Sequence, residues 1–136
     1  PTTPYSAKFS GPFGIAIGLV EGAGGLDQFT ERCIRDPDVL AVTSKIDFEI
    51  DPQNPYPGNY TGELVVTLSD GTKRHLLQPH LRGGRREPLG LEELVAKYRA
   101  NAAFGGWSED RAEAFRQFAE GFFEAEDLGG LAAFAG

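Results

Sequence analysis

Cysteine is nearly absent from this sequence: Cys33 is the single one among 136 residues, so an intrachain disulfide bond is excluded. Long apolar runs are missing too. No stretch reaches the roughly 18 residues that a membrane-spanning helix needs, so no spanning helix is expected. The single cysteine, together with the lack of an evident signal peptide, favours a reducing, cytoplasmic setting. The absence of an initiating methionine is consistent with a processed or truncated chain.

Basic residues are outnumbered, since 13 Lys and Arg face 20 Asp and Glu and give a formal charge of −7. This balance disfavours a general nucleic-acid binder, which needs a basic face to displace counterions. The charge is uneven along the chain. The stretch from Lys73 to Arg86 contains no acid and holds a cluster of basic groups: Lys73, Arg74, His75, His80, Arg82, Arg85 and Arg86. Region 109–127 is rich in acids and is typical of a solvated helical face.

The sequence contains few candidate catalytic or metal-binding side chains. His75 and His80 have no third ligand at metal-binding spacing, so no metal is expected. Cys33 has no obvious paired base, which favours a buried, small apolar role. The glycines at 22, 24 and 25 follow no predicted strand, so they do not form a nucleotide-binding loop. No pair of carboxylates is selected by its spacing, and the sequence therefore contains no convincing acid/base pair.

The hydrophobic content of 40% suffices for a core, and its periodicity predicts helices and strands. Caps and helical spacing predict helices over 10–21, over 26–32, from 36, over 91–103 and from 108. Alternation predicts strands over 45–51, 63–68 and 73–78. Asp70-Gly71 is a strong hairpin turn signal. These elements predict an α+β fold: a two-layer domain in which a small antiparallel sheet packs on helices, followed by C-terminal helices.

The opening Lys8-Phe9-Ser10-Gly11-Pro12-Phe13, with the apolar helix that follows, resembles the MmgE/PrpD family. Further matches follow in order at 26–30, 35–37, 65–71, 88–94, 97–102 and 126–128. Family members are several times longer, so the resemblance implies only their C-terminal part. It implies an N-terminally incomplete lid domain over 1–90 and a helical segment over 91–136. A three-stranded sheet leaves two edges, which are usually covered or paired.

The resemblance implies cofactor-free chemistry on small di- or tricarboxylates: proton abstraction beside a carboxylate, then dehydration, decarboxylation or epimerisation. The acid/base histidines of the family belong to a helical domain upstream, so no catalytic residue is assigned here. The expected partner is that helical N-terminal domain or subunit, or a second copy of the chain. The alternative is a stand-alone, non-catalytic binding or oligomerisation module derived from the lid.

Five residues are the candidate substrate contacts: Lys8, Phe13, Arg82, Arg85 and Arg86. Lys8 precedes a helix N-terminus, where a carboxylate is favoured; the alternative is a solvated or ion-paired lysine. The family commonly has tyrosine at the position of Phe13, so a hydroxyl is lost there; the alternative is a core phenylalanine. The three arginines lie beside Gly83-Gly84 and are able to grip carboxylates; the alternative is a solvated loop.

Overall fold

The computed structural model describes residues 1–135 and divides the chain into two compact units. One unit combines Pro1–Phe48 with the chain from Val95 onward, and the other is Glu49–Leu94. Helices and an antiparallel strand pair occur together, so the predicted α+β class is confirmed. The boundary at residue 90 stays a prediction. None of the helices within residues 1–135 has the length and apolar character to cross a membrane.

The regular elements are short. The α-helices are α1 (Pro4–Ala7), α2 (Gly11–Glu21), α3 (Pro37–Thr43), α4 (Leu91–Phe104) and α5 (Glu109–Glu120). The strands are β1 (Gly62–Thr67) and β2 (Lys73–Gln78). Single 3-10 turns lie at Leu26–Gln28, Cys33–Arg35, Phe122–Glu124 and Gly129–Phe134. The region 26–32, predicted as a helix, therefore forms only the Leu26–Gln28 turn, because the backbone of Phe29 leaves the helical region at φ −102° and ψ 61°.

Helix α2 builds the core of the N-terminal region. The Ser10 hydroxyl accepts the backbone N–H of Phe13 at 3.3 Å, and Gly22 ends the helix at φ 70°. These are the predicted start and stop signals, and both are confirmed. The inward face of α2 packs against α3 and the turn before it. The fully enclosed members of this core are Ala7, Phe13, Ala16, Ile17, Cys33 and Val39.

Unit Glu49–Leu94 contains the hairpin. Strand β1 pairs with β2 in antiparallel register, from Gly62 opposite Gln78 to Thr67 opposite Lys73. The turn is the predicted one: Gly71 has φ 82°, and the Asp70 carboxylate accepts the Thr72 N–H at 2.8 Å. That hydrogen bond holds the pKa of Asp70 below its ordinary value. The Gly71 N–H donates to the Leu68 carbonyl at 3.0 Å, so Gly71 is the last residue of the turn, where the positive φ favours glycine.

The predicted strand over 45–51 is wrong. Residues 46–50 adopt no regular structure, and the sheet in residues 1–135 contains only β1 and β2. Two apolar residues of the alternating pattern are exposed, with Phe48 78% and Ile50 83% accessible, whereas Ile46 packs against the core of the N-terminal region. Alternating apolar and polar residues indicate that one face of a strand could be buried. A strand also needs a neighbouring strand to receive its backbone hydrogen bonds. No such partner exists for this segment within the described chain.

The helices α4 and α5 meet through aromatic side chains. Phe115 contacts the rings of Tyr98, Trp107, Phe118 and Phe134, with centroids 5.1–6.4 Å apart. The Tyr98 hydroxyl donates to the Ala112 carbonyl at 2.8 Å. The aromatic side chains of α5 therefore serve helix packing, and contacts among these rings stabilise the C-terminal helices against each other.

Glu113 of α5 makes the chain's stability sensitive to acid. The Arg116 and Arg99 guanidinium groups donate to its carboxylate and lower the pKa of Glu113 from 4.5 to about 2. A depressed pKa contributes stability that is present above the ordinary value and is lost as the pH falls toward about 2. The Glu113→Gln variant should therefore melt at a lower temperature than the parent chain at neutral pH, and this difference should shrink between pH 4.5 and about 2.

Thermal unfolding followed by circular dichroism across this pH range measures the effect. Glu109→Gln is the matched control, because Glu109 lies on the same helix without a side-chain partner among residues 1–135. An equal acid response in the parent chain and Glu113→Gln would show that the Glu113 pairs contribute nothing to folding.

Candidate functional site

Lys8 lies in the link between α1 and α2. Its side chain is exposed and makes no hydrogen bond or ion pair within residues 1–135. The cation is therefore free to meet an anion from outside the described chain. It stands two residues before Ser10, the cap of α2, so its charge adds to the positive end of the α2 dipole. The exposed rings of Tyr5 and Phe9, close to it in sequence, form an edge contact with centroids 5.2 Å apart.

Phe13 lies in the core. Its side chain is 0% exposed, and its ring packs on Phe29 with centroids 6.0 Å apart. Within the described chain it therefore acts as a packing residue beneath the Lys8 segment. A direct role against a substrate stays a prediction.

The three arginines of the loop differ in their surroundings. Arg82 is ion-paired with Glu87 at 3.5 Å and with Glu93. Arg85 and Arg86 are exposed, and neither has a side-chain partner among residues 1–135. They occupy the centre of a turn that is closed by the Glu87 N–H donating to the Gly84 carbonyl at 3.1 Å. The structure thus leaves the guanidinium groups of Arg85 and Arg86 unpaired within residues 1–135 and neutralises that of Arg82.

A cavity of about 300 Å³ lies in unit Glu49–Leu94, beside these two arginines. Its lining includes Arg85, Arg86 and His80 together with Asn59 and Tyr60. No carboxylate of the described residues lines it. Cationic groups without a competing acid make this cavity suited to a small anion. A second cavity, of about 280 Å³, is lined by Tyr98, Asn101 and Trp107 and carries no formal charge.

Comparison with known proteins shows the family to which the chain belongs. A family model described as the MmgE/PrpD C-terminal domain matches residues 1–122. The chain belongs to the MmgE/PrpD family. The match is to a C-terminal domain, which implies an N-terminal partner domain in members of the MmgE/PrpD family.

Two curated proteins are similar to this MmgE/PrpD domain. The cis-aconitate decarboxylase of Homo sapiens is 32% identical over 104 residues, and that of Mus musculus is 30% identical over 105 residues. Each match covers 76% of this chain but only 22% and 21% of the relative. The chain therefore spans about a fifth of the length of these two MmgE/PrpD relatives.

The sequence did not single out the cavity of this MmgE/PrpD domain as a site. Its lining includes Asn59 and Tyr60, which follow a proline-rich loop that the sequence predicts only as irregular. The sequence did indicate the basic residues of the cavity, because the stretch from Lys73 to Arg86 contains no acid. Residues 1–135 contain no cluster of three or more His, Cys, Asp or Glu side chains that could hold a metal ion.

Proposed function

We propose that this chain is the C-terminal lid part, or the small subunit, of an MmgE/PrpD-like enzyme that acts on small di- or tricarboxylates. The reaction is a dehydration, a decarboxylation or an epimerisation and uses no cofactor. The observation that carries the proposal is the family match over residues 1–122, joined to similarity with two proteins named cis-aconitate decarboxylase. A carboxylate substrate also fits the unpaired basic groups of the chain.

Lys8 and the arginine loop are the proposed contacts to substrate carboxylates, each within its own unit. Lys8 offers an exposed ammonium beside the α2 N-terminus, and Arg85 and Arg86 offer unpaired guanidinium groups. Phe13 supports the Lys8 segment from the core, and Arg82 supports the loop through its two ion pairs. We assign proton abstraction to groups outside this chain, in the helical N-terminal domain of the family.

The proposed partner is that helical domain, either as a separate subunit or in the same polypeptide, in a cytoplasmic setting. Substrate specificity is assigned to the partner as well. In this arrangement the present chain binds and orients the carboxylates, and the partner supplies the acid and the base.

Reconstitution tests the proposal. The chain is assayed with and without a helical MmgE/PrpD N-terminal domain on 2-methylcitrate, cis-aconitate and iminodisuccinate. Turnover should require the partner. Lys8→Ala should lower kcat/KM about tenfold or more, because one charge-assisted contact to a substrate is removed. Lys45→Ala, which removes another exposed lysine of the same unit, should leave kcat/KM unchanged. Strong turnover by the isolated chain would contradict the proposal of an incomplete active site.

A stand-alone binding or oligomerisation module is the second candidate, and exposed apolar groups favour it. Phe48, Ile50 and Leu77 are between 67% and 83% accessible, which is typical of surfaces that another protein covers. A stable homo-oligomer of the chain, seen by light scattering, with no turnover beside any helical partner would support this module and contradict the enzyme proposal.

A further inference from the structure

Arg82 is a structural bridge within its loop. Its guanidinium donates to Glu87 within the loop and to Glu93 in the first turn of α4. Glu93 also accepts the Gly90 N–H at 2.9 Å. The Gly90 hydrogen bond, with the added effect of Arg82, holds the pKa of Glu93 below its ordinary value. Arg82 thus fastens the loop to the start of α4, and its charge is already balanced.

Arg85 and Arg86 are presented by a tight backbone turn. The Gly83 N–H donates to the Glu87 carbonyl at 2.7 Å, which closes the base of the turn. Gly83 has φ 83°, a conformation that favours glycine. A side chain at Gly84 would lie 2.9 Å from the Leu81 carbonyl oxygen. Both glycines are therefore needed to bring the two arginines to the cavity. The backbone N–H groups of Arg85 and Arg86 have no acceptor within residues 1–135.

Asn59 and Tyr60, which also line the cavity, are held in place as well. The Asn59 side-chain N–H donates to the Pro79 carbonyl at 2.8 Å, and the Asn59 side-chain oxygen lies 3.4 Å from Nδ1 of His80. Tyr60 packs edge-on against Tyr56, with centroids 5.2 Å apart. The Tyr60 hydroxyl has no partner among the described residues and remains a free donor beside the cavity.

We propose that this cavity is a binding site for a small multivalent oxyanion, held by Arg85 and Arg86, with Arg82 as a positioning residue that does not touch it. Two adjacent guanidinium groups match two carboxylates, or one phosphate, through paired hydrogen bonds. The volume of about 300 Å³ is at the lower limit for ligand pockets, which selects small ligands. The inference deepens the proposed function and rests on it only for the source of the anion.

An NMR titration of the full, 15N-labelled chain at low ionic strength tests the site. The probes are inorganic phosphate, succinate and tricarballylate, with acetate as the monovalent comparison. Multivalent probes should shift the signals of Tyr60, His80, Arg85 and Arg86, and acetate should bind more weakly. Arg85→Gln/Arg86→Gln should weaken binding about tenfold or more. Lys73→Gln/Arg74→Gln removes the same charge from β2 of the same unit and should retain the parent affinity.

Equal weakening by the two double variants would overturn the site, since attraction would then depend on net charge alone. An absence of shifts at the cavity with all three probes would overturn it too. Binding of phosphate but not of carboxylates would support the site and contradict the substrate role of this loop. The titration measures binding without turnover. A lack of turnover in the reconstituted enzyme is therefore distinguishable from a lack of anion binding at the cavity.

Arg82→Gln tests the positioning role. It should weaken binding and also lower the 15N order parameters of 83–90, because the link to α4 is lost. Weaker binding with unchanged order parameters would show that Arg82 contacts the anion itself and would overturn its assignment.

Discussion

Phe13→Ala is expected to lower the free energy of unfolding by about 3–5 kcal/mol, the range found when a buried phenylalanine is truncated. The Phe13 side chain is fully enclosed and lies against Phe29 in the core that α2 forms with α3. Alanine would leave a cavity that the short surrounding elements are poorly able to fill. Urea unfolding followed by circular dichroism measures the change. Leu19→Ala on the same helix is the control, since Leu19 is 64% exposed and should change stability little.

Phe13→Tyr gives the sharper contrast, because the family resemblance places a tyrosine at this position. The added hydroxyl would enter a core whose buried residues include no polar side chain among residues 1–135, so a cost of about 1–3 kcal/mol is expected. Unchanged stability would show that the ring edge is not enclosed. If the reconstituted enzyme also gained turnover from Phe13→Tyr, Phe13 would be assigned to a substrate pocket and its core role would be wrong.

Phe115→Ala is expected to lower the free energy of unfolding by about 3 kcal/mol, the lower end of the range for a core phenylalanine, because Phe115 is half-buried. Phe115 is the centre of the C-terminal aromatic cluster and contacts four other rings. Its removal deprives Tyr98 and Trp107 of their shared packing partner. The measurement is the urea midpoint, together with near-ultraviolet circular dichroism that reports on the single tryptophan.

Phe123→Ala is the control for Phe115→Ala. It removes the same side chain a few residues along, but Phe123 is 97% exposed, so a change within about 0.5 kcal/mol is expected. If both variants lost the same free energy of unfolding, the ring contacts of Phe115 would not contribute to stability.

Local signals allowed much of this fold to be predicted. Ser10 and Asp36 start helices because their side chains accept orphan backbone N–H groups within three residues. Asp70-Gly71 closes the hairpin for an equally local reason, the positive φ of glycine. Such features depend on neighbours in sequence, and the sequence contains all of them.

Other features depend on partners distant in sequence. Residues 45–51 have a strand pattern without a strand to pair with, and alternation contains no information on pairing. The arginine loop shows the same limit. Sequence placed Arg82, Arg85 and Arg86 together as equivalent cations, but the carboxylates of Glu87 and Glu93 neutralise only the first. Which of the three remains available is decided by the folded loop.

The two-stranded sheet has a further consequence for how the chain opens. Every second residue of β1 and β2 directs its N–H away from the other strand, and no third strand in residues 1–135 receives it. Those amides exchange with solvent directly. The remaining ladder opens by local fluctuation rather than by global unfolding. Hydrogen exchange therefore divides this chain into two tiers: a slow one around the enclosed residues of α2, and a fast one that includes most of the hairpin.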